Sequence, residues 1–500
     1  MLAAQSAAPQ RSEEAERGFI PREAAGLGAE PHLKKDRRKC MLQDLLSTHK
    51  SAFKDHTELR AQVNTDRRVV LVSGNMVANA QTSEGGVSAR VYRGGTFGFA
   101  SGATYTPEGV KNVLSAATDN AVFMDKHVNK GKPPLPGVTS GNQGLVTIPG
   151  PAIPQSMLID FAQAVDAIIV ERYKNLTSRT VVANCLDIEK LLVVSDGMDS
   201  HFFQPRSLMY VFMTADTPDG APVELYRPFG HLGRFDELFP DPALLVDKLD
   251  ILYESLMKKR EGVFANAGLK KCVMGPEMAG MLAHEAVGHT VEADLVLGGS
   301  VAAHNMGKQV ASELVSMVDF AHTYDGAPCM LPVYVDDEGV KAEDAVLIEK
   351  GILKGFMHSR DTARQFDTVP QGNARAFTYS DEPLIRMRNT AILPGKDKLE
   401  DMFASIDDGY YLVTTGNGQA DSTGEFMFSL NEGYEIKNGK LGKAIRETTI
   451  SGVAFEMLKT VDMVADEMFW ECGGFCGKKQ AMTASMGGPA LRCDLNIGGR

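Results

Sequence analysis

The stretch His284-Glu285-Ala286-Val287-Gly288-His289 puts two imidazoles and a carboxylate into one short run of chain. Neutral imidazole is a ligand for divalent metals, zinc above all, and a carboxylate next to the first ligand can act as general base toward water. The usual zinc-protease pattern is HExxH, in which histidines four apart share one helical face. Here they are five apart. In a regular α-helix residues five apart diverge by about 140°, too far to share an ion at Zn–N distances of about 2.0–2.1 Å. Metal binding therefore demands an i→i+5 bulge or a helix end, and the spacing places it at residues 286–289, with Gly288 as the point where the backbone deforms most easily.

The element that must carry this group is a helix over Pro276 to Val287, which opens on Pro and is dense in Ala, Met and Leu. Upstream, Cys40 to Val63 has a helical pattern, and a β-rich stretch begins at Val69 to Val72. Val87 to Ala100 reads as a hairpin turning at Gly94-Gly95. A helix over Thr106 to Val122, a Pro- and Gly-rich loop over 131–155, and a helix over Phe161 to Tyr173 follow. Val181–Ala183, Leu191–Val194 and Leu208–Met213 suggest an antiparallel meander, residues 216–241 a loop, and Pro242 to Lys259 a helix. Beyond about 330 the segments Val333–Val335, Ala345–Ile348, Ile352–Met357, Phe426–Leu430 and Gly433–Ile436 read as short strands. The expected fold class is α+β: an N-terminal α+β domain over 41–240, then a β-rich C-terminal domain over 241–500 with the metal site on a helix at its start. Residues 1–40 are expected to be a disordered or loosely ordered extension.

Five hundred residues, 43% hydrophobic, exceed one ordinary core and fit two domains. A net charge of −12 argues against nucleic-acid binding, and the run Lys34, Lys35, Arg37, Arg38, Lys39 is short enough to be a solvated tail. No stretch reaches the roughly 20 apolar residues of a membrane span and no signal-peptide core is visible, so a cytoplasmic location is expected. The seven cysteines (Cys40, Cys185, Cys272, Cys329, Cys472, Cys476, Cys493) are odd in number and scattered, which suits reduced thiols better than a disulfide framework.

The string from Ala283 to Leu295, AHEAVGHTVEADL, resembles the metallopeptidase signature of the TldD/PmbA family in its catalytic TldD branch. Val335-Asp336-Asp337-Glu338-Gly339, the run Leu347 to Gly355, Gly372-Asn373-Ala374-Arg375, Arg386-Met387-Arg388-Asn389-Thr390 and Cys476-Gly477-Lys478 are similar to further blocks of that family, in its order, over roughly residues 50–500. The resemblance implies that His284, His289 and Cys476 are zinc ligands and Glu285 the general acid/base. It also implies a metallopeptidase domain over 241–500, hydrolysis of peptides or unfolded chains, and a homo- or heterodimer with a TldE (PmbA)-like subunit. Two departures bear on substrate preference: Cys472 adds a thiol four residues before Cys476, and the glycine-rich block is diluted to Thr415-Gly416-Asn417-Gly418-Gln419-Ala420-Asp421.

Three protein ligands leave a fourth position for water, the arrangement of a catalytic rather than a structural zinc, with the water activated by Glu285. The alternative is a metal-binding assembly or regulatory subunit without hydrolytic activity; Glu285 discriminates, because a structural site needs no base. Glu292 is either a second-sphere partner of a ligating histidine or a solvated helix carboxylate. Cys472 and Cys493 are spare-ligand candidates, Asp336, Asp337 and Glu338 either a cation site or an acidic turn, and His304, His322 and His358 surface or satisfied histidines. An extended substrate is expected to add as a strand to an exposed edge at Val333–Val335 or Phe426–Leu430.

Overall fold

The computed structural model describes residues 44–128, 131, 133–147 and 149–499; the extension expected over 1–40 lies outside the described residues. The first lobe is built on four long antiparallel strands, His56–Val72, Asn75–Arg93, Ser178–Val194 and Met198–Asp216. Thr96–Gly102 flanks one side and Pro222–Leu232 the other. The Gly94-Gly95 hairpin is present, with both residues at positive φ (57° and 92°), which side chains bearing a Cβ resist. Helices Pro107–Val128 and Gln155–Arg172 bury Val110, Leu114, Ala117, Leu158, Val165 and Ile169 against the sheet.

Several segments differ from expectation. Residues 56–63 are strand, preceded only by short helical turns, and Val181–Ala183 and Leu191–Val194 belong to one continuous strand. Leu59 and Ala61 face the helix layer, while Glu58, Arg60 and Gln62 are also buried, against the second lobe. Polar residues buried by pairing break the apolar alternation that marks a strand. The segment 222–232, expected as loop, is a flanking strand, a place where prolines are tolerated.

In the second lobe Gly268–Met274 pairs in parallel with Asp408–Ala420, which pairs with Glu425–Lys437. Thr448–Val453 and Leu491–Ile497 complete the circuit back to Gly268–Met274, so the sheet closes on itself. A second sheet orders Ile352–Leu353, Ala345–Glu349, Met317–Phe320, Asn389–Ile392, Ser485–Gly488 and Phe469–Glu471. Expected segments 426–430 and 433–436 form one strand, hydrogen-bonded to neighbours on both sides, so no free edge exists there for a substrate. Val333–Val335 is not a strand either; Val335 makes only an isolated bridge to Lys341.

Helix Val246–Arg260 packs Leu249, Leu252 and Leu256 into the core of the first lobe. We therefore propose the lobe boundary at 261–267 rather than near 240. The lobes are joined by buried charge. Glu338 accepts from Arg90 of the first lobe at 2.5 Å and from the Arg360 backbone N–H, and Asp337 pairs with Lys190 at 2.8 Å. Asp336 accepts from the N–H groups of Glu338, Val340 and Ala374. The chain turns here as expected, Gly339 N–H donating to the Asp336 carbonyl at 3.2 Å, but the three acidic residues are buried anchors of the lobe interface; every carboxylate is engaged by protein donors, which leaves no cation site.

Candidate metal centre

The helix from Pro276 runs regularly only to Met281; residues 282–288 form a π-helical turn and His289–Val291 a 3₁₀ turn. The bond that defines the distortion joins the two histidines themselves, from His289 N–H to His284 C=O. An i→i+5 turn brings residues five apart back to one face, which is what a shared ion requires. Gly288 has ordinary helical angles (φ −53°, ψ −49°), so its role is spatial and not conformational: a Cβ there would lie 2.2 Å from Met387 Sδ and 2.9 Å from Ala283 O. The helix is held on all sides, between the closed sheet and the second sheet, with Met278, Leu282, Ala286, Val287 and Val291 fully buried. Each large side chain among them contributes about 1.5–3 kcal/mol by leaving water.

The third donor arrives from the far end of the chain. Cys476 lies on Phe475–Lys478, which pairs with Gln480–Thr483 through a tight turn at Lys479 (φ 60°). Its Sγ lies 3.3 Å from His289 Nε2, and one ligand atom from each of His284, His289 and Cys476 falls within 4.8 Å of the others. The imidazole centroids are 5.3 Å apart and the rings nearly perpendicular at 84°. In a tetrahedral zinc site nitrogen and sulfur ligands sit about 3.5 Å apart, so the donor set, two imidazoles and one thiol, fits a metal of the zinc type.

Glu285 places Oε1 4.0 Å from His284 Nε2 and Oε2 3.7 Å from His289 Nε2. Its side chain is 31% exposed, against 5% for His284 and 21% for His289, so it is the member of the group most open to solvent. Glu292 is fully buried, which removes the solvated reading: its Oε2 lies 2.9 Å from His289 Nδ1 and 3.2 Å from Lys478 Nζ. Lys478 is held in turn by Asp294 at 2.8 Å and by the carbonyl of Ile385. His284 Nδ1 is buried without a hydrogen-bond partner, so no neighbour fixes that ring as Glu292 fixes His289.

Burial pushes the Cys476 thiol up, but hydrogen bonds and charge from His284 and His289 outweigh it and hold the thiol down at about 5. Burial alone lowers His289, and the hydrogen bonds its ring donates to Cys476 and Glu292 overcome it, raising the ring to about 10. A lowered thiol pKa favours the thiolate, the form of cysteine that ligates metals.

Cys472 is buried but outside the donor group, and Cys493 sits opposite Cys272 within the closed sheet. His304 is exposed, His322 stacks on Tyr334, and His358 bonds Thr362 Oγ1 at 3.2 Å, with burial lowering it to about 4. The pattern-based reading missed Lys478 and Arg386 as supports. Lys478 was within reach of it, since two residues after Cys476 on a strand means the same face. Arg386, which donates to the carbonyls of Cys476 and Gln480 at 2.8 and 2.9 Å, carries no such local signal.

The chain is two-lobed and strand-rich, with two histidines on a π-distorted helix facing a cysteine on a hairpin. Residues 57–121 match the model for PmbA/TldA metallopeptidase domain 1, and 268–499 the PmbA/TldA metallopeptidase C-terminal domain. The chain belongs to the TldD/PmbA family. It is 36% identical over 250 residues to a zinc metalloprotease TldD homolog of Saccharolobus solfataricus, covering 50% of this chain and 56% of that one. The match thus spans little more than half of that relative. A metalloprotease of Methanocaldococcus jannaschii is 28% identical over 449 residues, 88% of this chain and 96% of that one. Among solved structures, TldE from Thermococcus kodakarensis shares the fold with a TM-score of 0.72 at 19% identity, over 92% of this chain and 100% of the other. Among the described residues no helix is long and apolar enough to cross a membrane.

Proposed function

We propose that the protein is a zinc-dependent peptidase that hydrolyses peptide bonds in short or unfolded polypeptides. His284, His289 and Cys476 would hold the zinc, and Glu292 would orient His289. The observation that carries the reading is Glu285, whose carboxylate oxygens lie 4.0 and 3.7 Å from the two imidazole Nε2 atoms on the solvent side of the donor group. A structural metal site has no use for a base there. Bound zinc supplies Lewis acidity, lowering the pKa of water and polarising a carbonyl. Glu285 then takes the proton from the attacking water and delivers it to the departing amine. Glu292, itself held by Lys478, holds the His289 ring by its Nδ1 edge, which keeps Nε2 turned toward Cys476.

Kinship with proteins named TldD, and a fold shared with TldE, support a homodimer or a heterodimer with a TldE-like subunit. The described cysteines are unpaired, as suits a reducing cytoplasm. The test is zinc content and cleavage of an unstructured peptide by the purified chain, alone and mixed with a TldE-like subunit, for wild type and Glu285→Gln. The expected result is zinc retained in both and cleavage in the variant reduced by about 10²–10⁴. Wild-type cleavage by the variant removes Glu285 from the chemistry.

A further inference from the structure

The loop that delivers Cys476 belongs to the second lobe but is held by the first. Arg206, on the strand Met198–Asp216, donates from Nη2 to the carbonyl of Cys472 and, at 3.2 Å, to that of Gly474. Tyr210, on the same face of that strand, donates its hydroxyl to the Gly473 carbonyl at 2.6 Å. Three successive carbonyls therefore accept from one strand of the opposite lobe. The Arg206 guanidinium also lies 4.9 Å over the ring of Phe475, the residue directly before Cys476. A Cβ on Gly474 would meet nothing within 4 Å, whereas one on Gly473 would meet Pro228 of the first lobe at 3.1 Å. On the far side Arg386 fixes the Cys476 carbonyl itself.

Arg206 is only 2% exposed, yet its Nε and Nη1 have no hydrogen-bond partner. Burying a cation costs several kcal/mol, and an apolar side chain of similar volume commonly serves stability as well or better. The Arg206 charge also acts on the buried Glu471 and on the Cys472 side chain, both in the same segment, so what the buried guanidinium engages is the ligand-bearing loop and its approach. We propose that Arg206, assisted by Tyr210, is a positioning residue for Cys476: the first lobe fixes the 472–475 loop so that the sulfur stays within ligand distance of His289. Arg206 acts through the loop and does not touch the metal. The proposal rests on the zinc reading of the His284–His289–Cys476 group.

The test uses the full chain as wild type, Arg206→Met, Arg206→Lys, Tyr210→Phe and Cys476→Ser. Three quantities are read: zinc affinity by competition with a chromophoric chelator, the thiolate-to-metal absorption band of the cobalt-substituted protein, and Tm of the metal-free protein. Arg206→Met is expected to keep or raise the metal-free Tm while zinc binding weakens at least tenfold and the thiolate band fades. Arg206→Lys should recover part of the affinity, and Tyr210→Phe should lose less than Arg206→Met. Wild-type affinity and band in Arg206→Met overturn the proposal, as does a fall in Tm that accounts for the lost affinity. A wild-type protein without a Cys476-dependent band overturns the metal-centre reading together with this one, an outcome told apart because the wild type itself then fails.

Discussion

His289 Nδ1 lies 2.9 Å from Glu292 Oε2, and that carboxylate is completely shielded from solvent. A buried carboxylate bonded to one edge of an imidazole fixes the tautomer and presents the other nitrogen, Nε2, to whatever shares the site with Cys476. Glu292→Gln preserves shape but removes the charge and weakens the grip of Lys478. Zinc affinity, measured by chelator competition, is expected to drop about 10–100-fold. Binding as tight as wild type would show that the ring is oriented by packing alone.

Two thiols four residues apart in sequence are not equivalent in space. Cys476 Sγ joins the histidine pair, whereas Cys472 is buried outside the group, its carbonyl taken by Arg206. Cys476→Ser exchanges a thiolate for a weak neutral donor and should abolish stoichiometric zinc binding at micromolar metal. Cys472→Ser should leave zinc content at the wild-type level. Equal losses in the two variants, read by metal analysis after gel filtration, would contradict the assignment.

Gly288 tests whether the π-turn is packed into place. Its φ and ψ suit any residue, but a Cβ would press on Met387 Sδ and on the Ala283 carbonyl. Met387 is 1% exposed and has little room to withdraw. Gly288→Ala should therefore destabilise the protein by about 1–3 kcal/mol, the usual cost of overpacking, seen as a lower denaturation midpoint. Combining it with Met387→Ala should cost less than the sum of the single changes; strict additivity would place the strain elsewhere.

The break in the helix that carries His284 and His289 was legible in the sequence because chemistry and geometry conflict there: histidines five apart cannot share an ion on an α-helix, so a shared ion required a break. The turn begins at Leu282, earlier than expected, because the extra residue is absorbed across the whole turn and not at the glycine. The long strands were less legible. His56 to Val63 has Glu58, Arg60 and Gln62 on the face turned to the second lobe, where pairing replaces hydration, and such positions look solvent-exposed in a pattern of apolar residues. The interface role of Asp336, Asp337 and Glu338 was hidden for the same reason, although the turn they form was expected. Their partners Arg90 and Lys190 lie more than a hundred positions away, and Arg206 is as remote from Cys472. Local spacing cannot announce a contact that only the docking of two lobes creates.

That docking also titrates. His56 Nδ1 lies 2.5 Å from Asp196 and its Nε2 3.0 Å from Glu58, with Arg360 of the second lobe bonded to the same Asp196. Burial lowers His56, but the hydrogen bonds to Asp196 and Glu58 outweigh it, together with the repulsion of Arg360, and the ring is raised above its ordinary 6.5. The folded protein therefore holds the proton more tightly than the unfolded chain. This stabilisation is fully present below pH 6.5 and is lost as pH rises through the higher folded value, by about 1.4 kcal/mol for each pKa unit of the shift. His56→Gln should remove that slope. Other buried groups, Lys190 and Glu277 among them, titrate nearby, so the quantity to read is the stability difference between wild type and variant from pH 5.5 to 9 by urea denaturation. It should favour wild type at the acid end and shrink toward the alkaline end; a difference flat in pH would mean that His56 stays neutral between its two carboxylates.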